Sequence, residues 1–314
     1  MKLRTFGRTG TRVSEVGFGA WALGGNEHGN SYGPTKDEES VAAVHRSLEL
    51  GCNFFDSADV YGWGHSEAVL GKALEGRRDE VVIATKVGGD FYHGGVKMNF
   101  DPDYIRFALE KSLERLKTKY VDVYQLHNPP GEAVLDLKIQ RLMEKLKQEQ
   151  KIRVFGISVH EPEEAVEAIE SGKADAIQIP FSLFRQEWIT EILPLARKRN
   201  VAVIAREPLA NGFLTGKYTG KEDWVQGDIR HRMGRRHTES QAKLGRGFSS
   251  LARDGRTQAQ AALKFVLSFP EISTTIPGIK SPAQAEENIG ASSAPELSRD
   301  EMATARQWWK SSTR

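Results

Sequence analysis

The chain of 314 residues carries 44 Lys and Arg against 42 Asp and Glu, and a net charge of +2 gives no electrostatic argument for a nucleic acid or an anionic membrane as a partner. Apolar residues make up 39% of the sequence, enough for a globular core, and no apolar run approaches the ~20 residues that a membrane helix needs. The single Cys52 excludes an intrachain disulfide framework, and the first charged residues have no apolar stretch behind them, so we expect a cytoplasmic protein.

Residues 2–12, centred on Gly7-Arg8-Thr9-Gly10, predict a small hairpin at the start of the chain. Beyond it, short β-rich apolar runs alternate with helical patterns. Eight of these runs are predicted strands, at residues 13–19, 53–57, 81–86, 121–127, 154–159, 176–181, 201–206 and 273–277. Several are apolar on both faces, as parallel strands covered by helices are. Eight strands, each followed by a helix, predict an α/β fold, a single (β/α)8 TIM barrel domain over residues 1–314, more than an open sheet.

Several of the intervening helices have recognisable starts. Capping-box patterns, in which a side chain and a Gln or Glu three residues later satisfy each other's backbone N–H groups, occur at Thr35 with Glu38, Thr257 with Gln260 and Ser281 with Gln284. A capping side chain also precedes a proline suited to the first helical position, at Asp101-Pro102 and at Ser281-Pro282.

Residues 208–256 form a long connection after the seventh predicted strand. From Asp228 to Arg256 this connection holds eight Lys or Arg against three acidic residues. A connection of this length is either functional or partly disordered. One interpretation is a solvated insertion, and the other is a basic loop that meets cofactor phosphates at the carboxyl end of the barrel. The sequence supports both equally.

Polar side chains end three consecutive predicted strands: Asp56 the second, Lys86 the third and His127 the fourth, with Tyr61 in the loop after the second. In a parallel barrel all four converge on the carboxyl rim, where barrel enzymes place their chemistry. Each residue alone is weak evidence, because a lone Lys or His at a strand end is usually a solvated rim residue. The informative feature is the set, in which Asp and Lys have opposite charges and are able to pair.

This set suits the reduction of a carbonyl group. Hydride addition leaves an alkoxide that needs a proton, and a tyrosine with an ordinary pKa of ~10 is a poor acid-base partner near neutrality. A neighbouring Lys86 ammonium is expected to lower the Tyr61 pKa, and Asp56 to hold Lys86 charged. His127 is suited to donate a hydrogen bond to the substrate oxygen. The hydride itself must come from a cofactor, because no side chain supplies one.

These residues lie in motifs that resemble the aldo-keto reductase family over nearly the whole chain. The segment from Gly51 to Gly62, followed by Ser66-Glu67 and Leu70-Gly71, is similar to the family's first signature. Ala84-Thr85-Lys86 and Tyr124-Gln125-Leu126-His127 resemble the strand ends that carry its lysine and histidine. The resemblance implies an NADP(H)-dependent oxidoreductase acting on a small carbonyl or alcohol, with Tyr61 as general acid or base, Lys86 and Asp56 tuning it, and His127 orienting the carbonyl.

The same resemblance implies a nicotinamide site. Ser158 and Gln178 match residues that hold the carboxamide, although Val159 stands where relatives have an Asn. Arg206 stands where many relatives place a Tyr under the nicotinamide ring. A planar guanidinium is able to stack on a ring, and the alternative is that Arg206 pairs with Glu207 or an acidic rim residue.

The resemblance further implies where the cofactor phosphates bind. The glycine-containing loop from Leu209 through Gly212 to Lys217 resembles the segment over the pyrophosphate. Residues 276–281 and the helix that follows resemble the adenosine-phosphate site, with Pro277, Gly278, Lys280, Gln284 and Asn288 as its residues. A helix N-terminus beside a lysine attracts anions, which favours NADP over NAD. The preference is expected to be weaker than usual because Gln284 replaces an Arg found in some relatives.

Several further interpretations complete the sequence-based picture. Gly17-Phe18-Gly19-Ala20-Trp21-Ala22 matches a dinucleotide fingerprint, but the glycine-rich segment behind it is unsuited to the helix that a Rossmann site needs. No metal site is expected, since the histidines have no ligand spacing. The rim residues Trp21, Trp63, Phe91 and Asn128 are candidates for a substrate pocket. A second class of function stays open, an NADP(H)-binding sensor or accessory subunit resembling potassium-channel β subunits. The oligomeric state also stays open.

Overall fold

The structure, a computed structural model, describes residues 1–28 and 31–312. Its strands in chain order are β1 (Leu3–Thr5), β2 (Arg12–Ser14), β3 (Phe18–Gly19), β4 (Phe54–Asp56), β5 (Val82–Val87), β6 (Gly89–Asp90), β7 (Lys97–Met98), β8 (Val121–His127), β9 (Ile152–Ser158), β10 (Ala176–Pro180), β11 (Ala202–Arg206) and β12 (Ile272–Thr275). Its helices are α1 (Asp37–Glu49), α2 (His65–Ala73), α3 (Pro102–Arg115), α4 (Gly131–Leu135), α5 (Leu137–Gln148), α6 (Pro162–Glu170), α7 (Ile192–Arg199), α8 (Ile229–Met233), α9 (Arg235–Arg246), α10 (Gln258–Leu267), α11 (Pro282–Gly290) and α12 (Arg299–Ser312).

Eight strands form one parallel sheet in the order β12, β11, β10, β9, β8, β5, β4, β3. Parallel bridges from Val16 to Thr275 and from Gly19 to Gly278 join its two edges. The sheet is therefore closed on itself with helices outside it, which confirms the predicted (β/α)8 barrel. Its register sets Gly19 beside Asp56, Lys86 beside Gln125, and His127 beside Ser158, so polar strand ends meet at one rim.

The barrel interior is apolar at the end away from that rim. Phe54, Val82, Ala84 and residues from five other strands form a buried cluster there. Phe6, from the segment between β1 and β2, is 1% exposed and packs on Phe54 with ring centroids 5.7 Å apart. Arg8 N–H also donates to the Asn200 carbonyl at 2.9 Å. The N-terminal hairpin thus closes the amino end of the barrel.

Local signals near the N-terminus were partly misjudged from sequence. The first barrel strand is Phe18–Gly19 and not residues 13–19, because Arg12–Ser14 pairs antiparallel with Leu3–Thr5 and belongs to the hairpin. Likewise Thr35 does not cap α1, which begins at Asp37 with no side-chain cap. Its acidic first turn, from Asp37 to Glu39, supplies the charge that a helix N-terminus favours.

Other helix starts agree with the sequence. Thr257 and Gln260 form a complete capping box, and the side chain of Asp101 caps α3 ahead of Pro102. Ser281 caps α11, but the Gln284 side chain accepts from Lys280 N–H and not from the N–H of Ser281, so this capping box is incomplete.

The long connection after β11 is folded. It contains 3-10 turns at Ala210–Thr215 and Ser249–Leu251 in addition to α8 and α9. The C-terminal α12 packs beside it, with Trp308 4.5 Å from Phe248 between ring centroids. In the part of the chain that the structure describes, no helix combines the length and apolar character needed to cross a membrane.

Candidate active site

The four residues that end or follow consecutive strands meet at the carboxyl rim. Asp56 ends β4, Lys86 lies in β5 and His127 ends β8, while Tyr61 lies in the turn between β4 and α2. Asp56, Tyr61 and His127 line a cavity of about 570 Å³, and the fully buried Lys86 lies behind Asp56 and Tyr61. The walls of the cavity are formed by the remaining lining residues, Gly19, Ala20, Trp21, Tyr32, Val60, Trp63, Val96, Asn128, Gln178, Arg206, Glu207, Ile229, Arg232, Ile276 and Gly278.

Lys86 is fully buried and lies between the Asp56 carboxylate and the Tyr61 hydroxyl. Its Nζ donates to Asp56 Oδ1 at 2.5 Å and to the Ser57 carbonyl at 2.7 Å, and it is 3.5 Å from Tyr61 Oη. Burial alone would lower the pKa of Lys86, but Asp56 and Tyr61 outweigh it and raise that pKa above its ordinary value. The lysine is therefore a cation shielded from bulk solvent.

Tyr61 keeps its proton at neutral pH. Burial raises its pKa, while the positive charges of Lys86 and Arg206 lower it, and the net result is a raised pKa. Lys86 acts in the expected direction, but the expected net lowering is wrong, because desolvation of the phenolate outweighs the ammonium. The resting group is a neutral phenol with a cation beside its oxygen.

His127 is neutral. Burial first, then Lys86 and Arg206, lower its pKa well below the ordinary value of 6.5. Its ring meets Tyr61 edge to face, with centroids 5.7 Å apart and an interplanar angle of 81°. A neutral imidazole with one N–H is suited to donate to an uncharged carbonyl oxygen.

The second carboxylate oxygen of Asp56 binds two buried amides that reach it from across the barrel. Gln178 Nε2 donates to Asp56 Oδ2 at 2.9 Å and to Gln125 Oε1 at 3.2 Å, and Gln125 Nε2 donates to the same carboxylate oxygen at 3.2 Å. Gln125 was not among the predicted site residues. Strand alternation was the available signal, because Gln125 and His127 are two apart in β8 and face the same side.

The residues expected at a nicotinamide site lie near this network. Gln178 and Arg206 line the cavity, whereas Ser158 is buried behind it with its hydroxyl 3.5 Å from Asn128 Oδ1. The Arg206 side chain ion-pairs with Glu207 and also donates to the Val159 carbonyl at 3.2 Å. The two interpretations of Arg206 are compatible, since the arginine both pairs with Glu207 and faces the cavity.

A second cavity, of about 100 Å³, adjoins the first, because Tyr32, Glu207 and Gly278 line both. It is lined by most of the residues expected near cofactor phosphates, namely Leu209, Gly212, Lys217, Gly278, Lys280, Gln284 and Asn288. Pro277 lines neither cavity and lies in the barrel wall, where its carbonyl accepts from Gly19 N–H. The N-terminus of α11, capped by Ser281, and the two lysines make this cavity suitable for anions.

Three of the four residues predicted for a substrate pocket lie at the larger cavity. Trp21, Trp63 and Asn128 line the larger cavity. Phe91 does not, because it stacks on Trp63 from outside, with centroids 6.0 Å apart and an interplanar angle of 20°. Within residues 1–28 and 31–312, no group of three or more His, Cys, Asp or Glu side chains is arranged to hold a metal ion.

Comparisons with known proteins agree with this geometry. A model described as "Aldo/keto reductase family" matches residues 15–310. The uncharacterized oxidoreductase YqkF of Bacillus subtilis is 33% identical over 310 residues, covering 96% of this chain and 94% of the relative. The aldo-keto reductase yakc [NADP(+)] of Schizosaccharomyces pombe is 33% identical over 290 residues, covering 89% and 84%.

Solved structures show the same fold. The holo form of aldo-keto reductase AKR11C1 from Bacillus halodurans superposes with a TM-score of 0.81 at 29% identity, covering 98% of this chain and 96% of the other. The glycerol dehydrogenase AKR11B4 of Gluconobacter oxydans superposes with a TM-score of 0.79 at 29% identity, covering 95% and 92%.

The buried ion pair leads to a first prediction. Asp56→Asn leaves the Lys86 ammonium buried without its partner, which typically costs about 3–5 kcal/mol of unfolding free energy. Since burial then lowers the Lys86 pKa, the unfolded chain binds more protons, and the variant's stability rises as the pH approaches the ordinary lysine pKa of about 10.4. The free energy of unfolding is measured by urea denaturation at a series of pH values up to that point. Asp56→Asn with Lys86→Met is the control, and it should lose the pH-dependent part. A single variant whose stability matches wild type at every pH would contradict the buried pair.

Proposed function

This chain belongs to the aldo/keto reductase family, and from that premise we propose that it interconverts an aldehyde or ketone with the corresponding alcohol, with Tyr61 as the proton donor in reduction. The cofactor is NADP(H), the cofactor in the name of the yeast relative. The observation that carries the proposal is the position of the buried Lys86 Nζ, which contacts both Asp56 and the hydroxyl of Tyr61, two residues that line the larger cavity.

The residues present fit this cofactor. The side-chain amide nitrogen of Gln178 donates one hydrogen bond to Asp56 and one to Gln125. Its Oε1 is therefore available to accept a hydrogen bond from the cofactor's carboxamide. Arg206 offers a planar group at the end of β11. In the second cavity, Asn211 and Gly212 both line the wall and both have a positive φ, of 56° and 87°, so this tight turn brings the chain close to the space where the phosphates would lie.

The phosphates would be surrounded there by residues that line the second cavity, Lys217, Lys280, Leu209, Gln284 and Asn288. Gly278 lies at the boundary between the two cavities, and Pro277 lies behind it in the barrel wall. Ser158 would support the carboxamide end through Asn128. When bound, the cofactor supplies or accepts the hydride, for which the protein has no group of its own.

The protein's own contribution is to control one proton. Tyr61 stays protonated because burial raises its pKa, so it is ready to donate to an alkoxide. As the proton leaves, Lys86 stabilises the phenolate at 3.5 Å, and Asp56 keeps the lysine charged. Neutral His127 and the Tyr61 hydroxyl both face the cavity, where together they would polarise the same substrate oxygen. In oxidation the same groups act in reverse.

The central prediction concerns Tyr61→Phe. The change removes one hydroxyl and keeps the ring, and loss of general acid catalysis costs ~10²–10⁴ in rate. We expect kcat to fall by that factor while NADPH affinity, measured by fluorescence quenching, is unchanged. Steady-state assays on a panel of aldehydes, ketones, quinones and sugars provide the measurement. Near-wild-type kcat in a step limited by chemistry would refute the role of Tyr61. A wild type that binds NADPH tightly and turns over no carbonyl would favour the sensor function.

The pH dependence gives an independent check. Oxidation needs the Tyr61 phenolate, so its kcat should rise with pH through a tyrosine pKa above the ordinary value of 10. Lys86 lowers that pKa, so Lys86→Met should move the rise to higher pH. Profiles of kcat against pH for the two proteins, with Lys72→Met on the outer face of α2 as control, measure the shift. A profile unmoved by Lys86→Met would exclude the proposed coupling.

Cofactor selectivity tests the second cavity. Lys280→Gln should weaken NADPH binding by about tenfold or more, the scale of one charge-assisted contact, and leave NADH binding nearly unchanged. Titrating both cofactors gives the two dissociation constants. Lys221→Gln is the matched control, being exposed and outside both cavities. Equal losses of affinity for NADPH and NADH would contradict a contact with the 2′-phosphate. They would indicate that Lys280 has a structural role, through its hydrogen bond to the Tyr32 carbonyl.

A further inference from the structure

The larger cavity has one charged side chain that is not neutralised. Four charged residues line it, Asp56, Arg206, Glu207 and Arg232. Asp56 pairs with the buried Lys86, and Arg206 with Glu207. Within residues 1–28 and 31–312, Arg232 has no ion pair. The cavity therefore has an excess of one positive charge, located at Arg232.

Among its basic neighbours on the long connection, Arg232 is distinguished by lining the larger cavity while having no ion pair among the described residues. Arg230 forms a buried ion pair with Asp228 at 2.6 Å, and Arg235 pairs with Glu239 at 3.2 Å. Arg246 donates to the Tyr218 carbonyl at 3.0 Å. Two more, Arg253 and Arg256, pair with Glu301. The remaining two, Arg236 and Lys243, are exposed and line neither of the two cavities at the rim.

The backbone that carries Arg232 is held against the cavity. Ile229 N–H donates to the Ser31 carbonyl at 2.8 Å, and Ser31 N–H donates to the Gly227 carbonyl at 3.1 Å. The Ser31 hydroxyl also donates to the Trp21 carbonyl at 3.2 Å. These bonds attach the start of α8 to the loop after β3, and Ile229 itself lines the cavity. The fold thus fixes the backbone next to Arg232, and its exposed side chain lies at the cavity.

The rest of the cavity wall is mainly apolar, with Trp21, Val60, Trp63, Val96, Ile229 and Ile276 on its sides. A guanidinium binds carboxylates and phosphates through paired hydrogen bonds. We propose that Arg232 is a specificity residue for an anionic group, and that the preferred substrate is an aldehyde or ketone with an apolar body and a carboxylate or phosphate. This inference rests on the proposed function. Arg232 lines the larger cavity and not the one with Lys217 and Lys280, which argues for the substrate over the cofactor phosphates.

The test compares substrates matched in shape. The values of kcat/KM are measured for 4-carboxybenzaldehyde, 4-formylphenyl phosphate and the neutral 4-formylbenzamide, with wild type, Arg232→Gln and Arg236→Gln. Wild type should prefer one or both anions, and Arg232→Gln should reduce that preference about tenfold, leaving the amide unaffected. The better anion identifies the acid group. Arg236→Gln, a control for general charge, should behave as wild type. Equal use of all three aldehydes by wild type, or equal losses from both Arg variants, would overturn the proposal.

A binding measurement separates this proposal from the proposed function. Benzoate, phenyl phosphate and benzamide are titrated into the NADPH complex, with the fluorescence of Trp21 and Trp63 as the signal. If no aldehyde is reduced but the anions bind and lose about tenfold in affinity in Arg232→Gln, the anion site stands and the reductase function fails. If reduction proceeds but the anions bind no better than benzamide, the anion site fails and the reductase stands. A weaker NADPH affinity in Arg232→Gln, with unchanged preference among aldehydes, would assign the arginine to the cofactor.

Discussion

A buried ammonium group determines the arrangement at the polar end of this barrel. Lys86 has no contact with solvent, and an isolated charge in that position would cost several kcal/mol. Asp56 on the adjacent strand compensates it at 2.5 Å. The carboxylate then has one oxygen left to satisfy, and amides from β8 and β10 reach across the barrel to it. Four strands are tied by one network, and the position of the Tyr61 hydroxyl follows from it.

The apolar lower half of the barrel makes that network effective. Phe6 and Phe54 close the amino end and exclude water from beneath the polar layer. Low dielectric strengthens the attraction between Lys86 and Asp56, and it also raises the pKa of Tyr61 by penalising the phenolate. The same environment therefore keeps the lysine charged, the tyrosine protonated and the histidine neutral. These are the three states that the proposed protonation of an alkoxide requires.

Features with a local pattern could be predicted from the sequence. The strand that carries Lys86 begins with an apolar run, the strand that ends at His127 is rich in β-branched and aromatic residues, and their register follows from the barrel. The prediction was wrong where the same pattern is compatible with two structures. At residues 12–14 the alternation of polar and apolar residues fits a strand of the hairpin as well as a strand of the barrel. The prediction was also wrong where the outcome depends on burial or distant pairing. The net pKa of Tyr61 depends on desolvation, the stacking of Phe91 outside Trp63 on loop geometry, and the position of Arg232 on contacts of its helix with Ser31, nearly two hundred residues away in the chain.

The contact between Ser31 and Asp228 joins the loop after β3 to the long connection after β11. Neither segment contributes to the barrel wall, and neither contains Asp56, Tyr61, Lys86 or His127. Exchanges at the contact between Ser31 and Asp228 can therefore accumulate during evolution without replacing any of those four side chains. Because the two loops are in contact, a substitution in one changes the packing of the other. We therefore expect substitutions in the two loops to occur in pairs as related sequences diverge. In a set of related sequences, positions in the loop after β3 would then covary with positions in the long connection after β11. The residues at the ends of the strands would stay invariant.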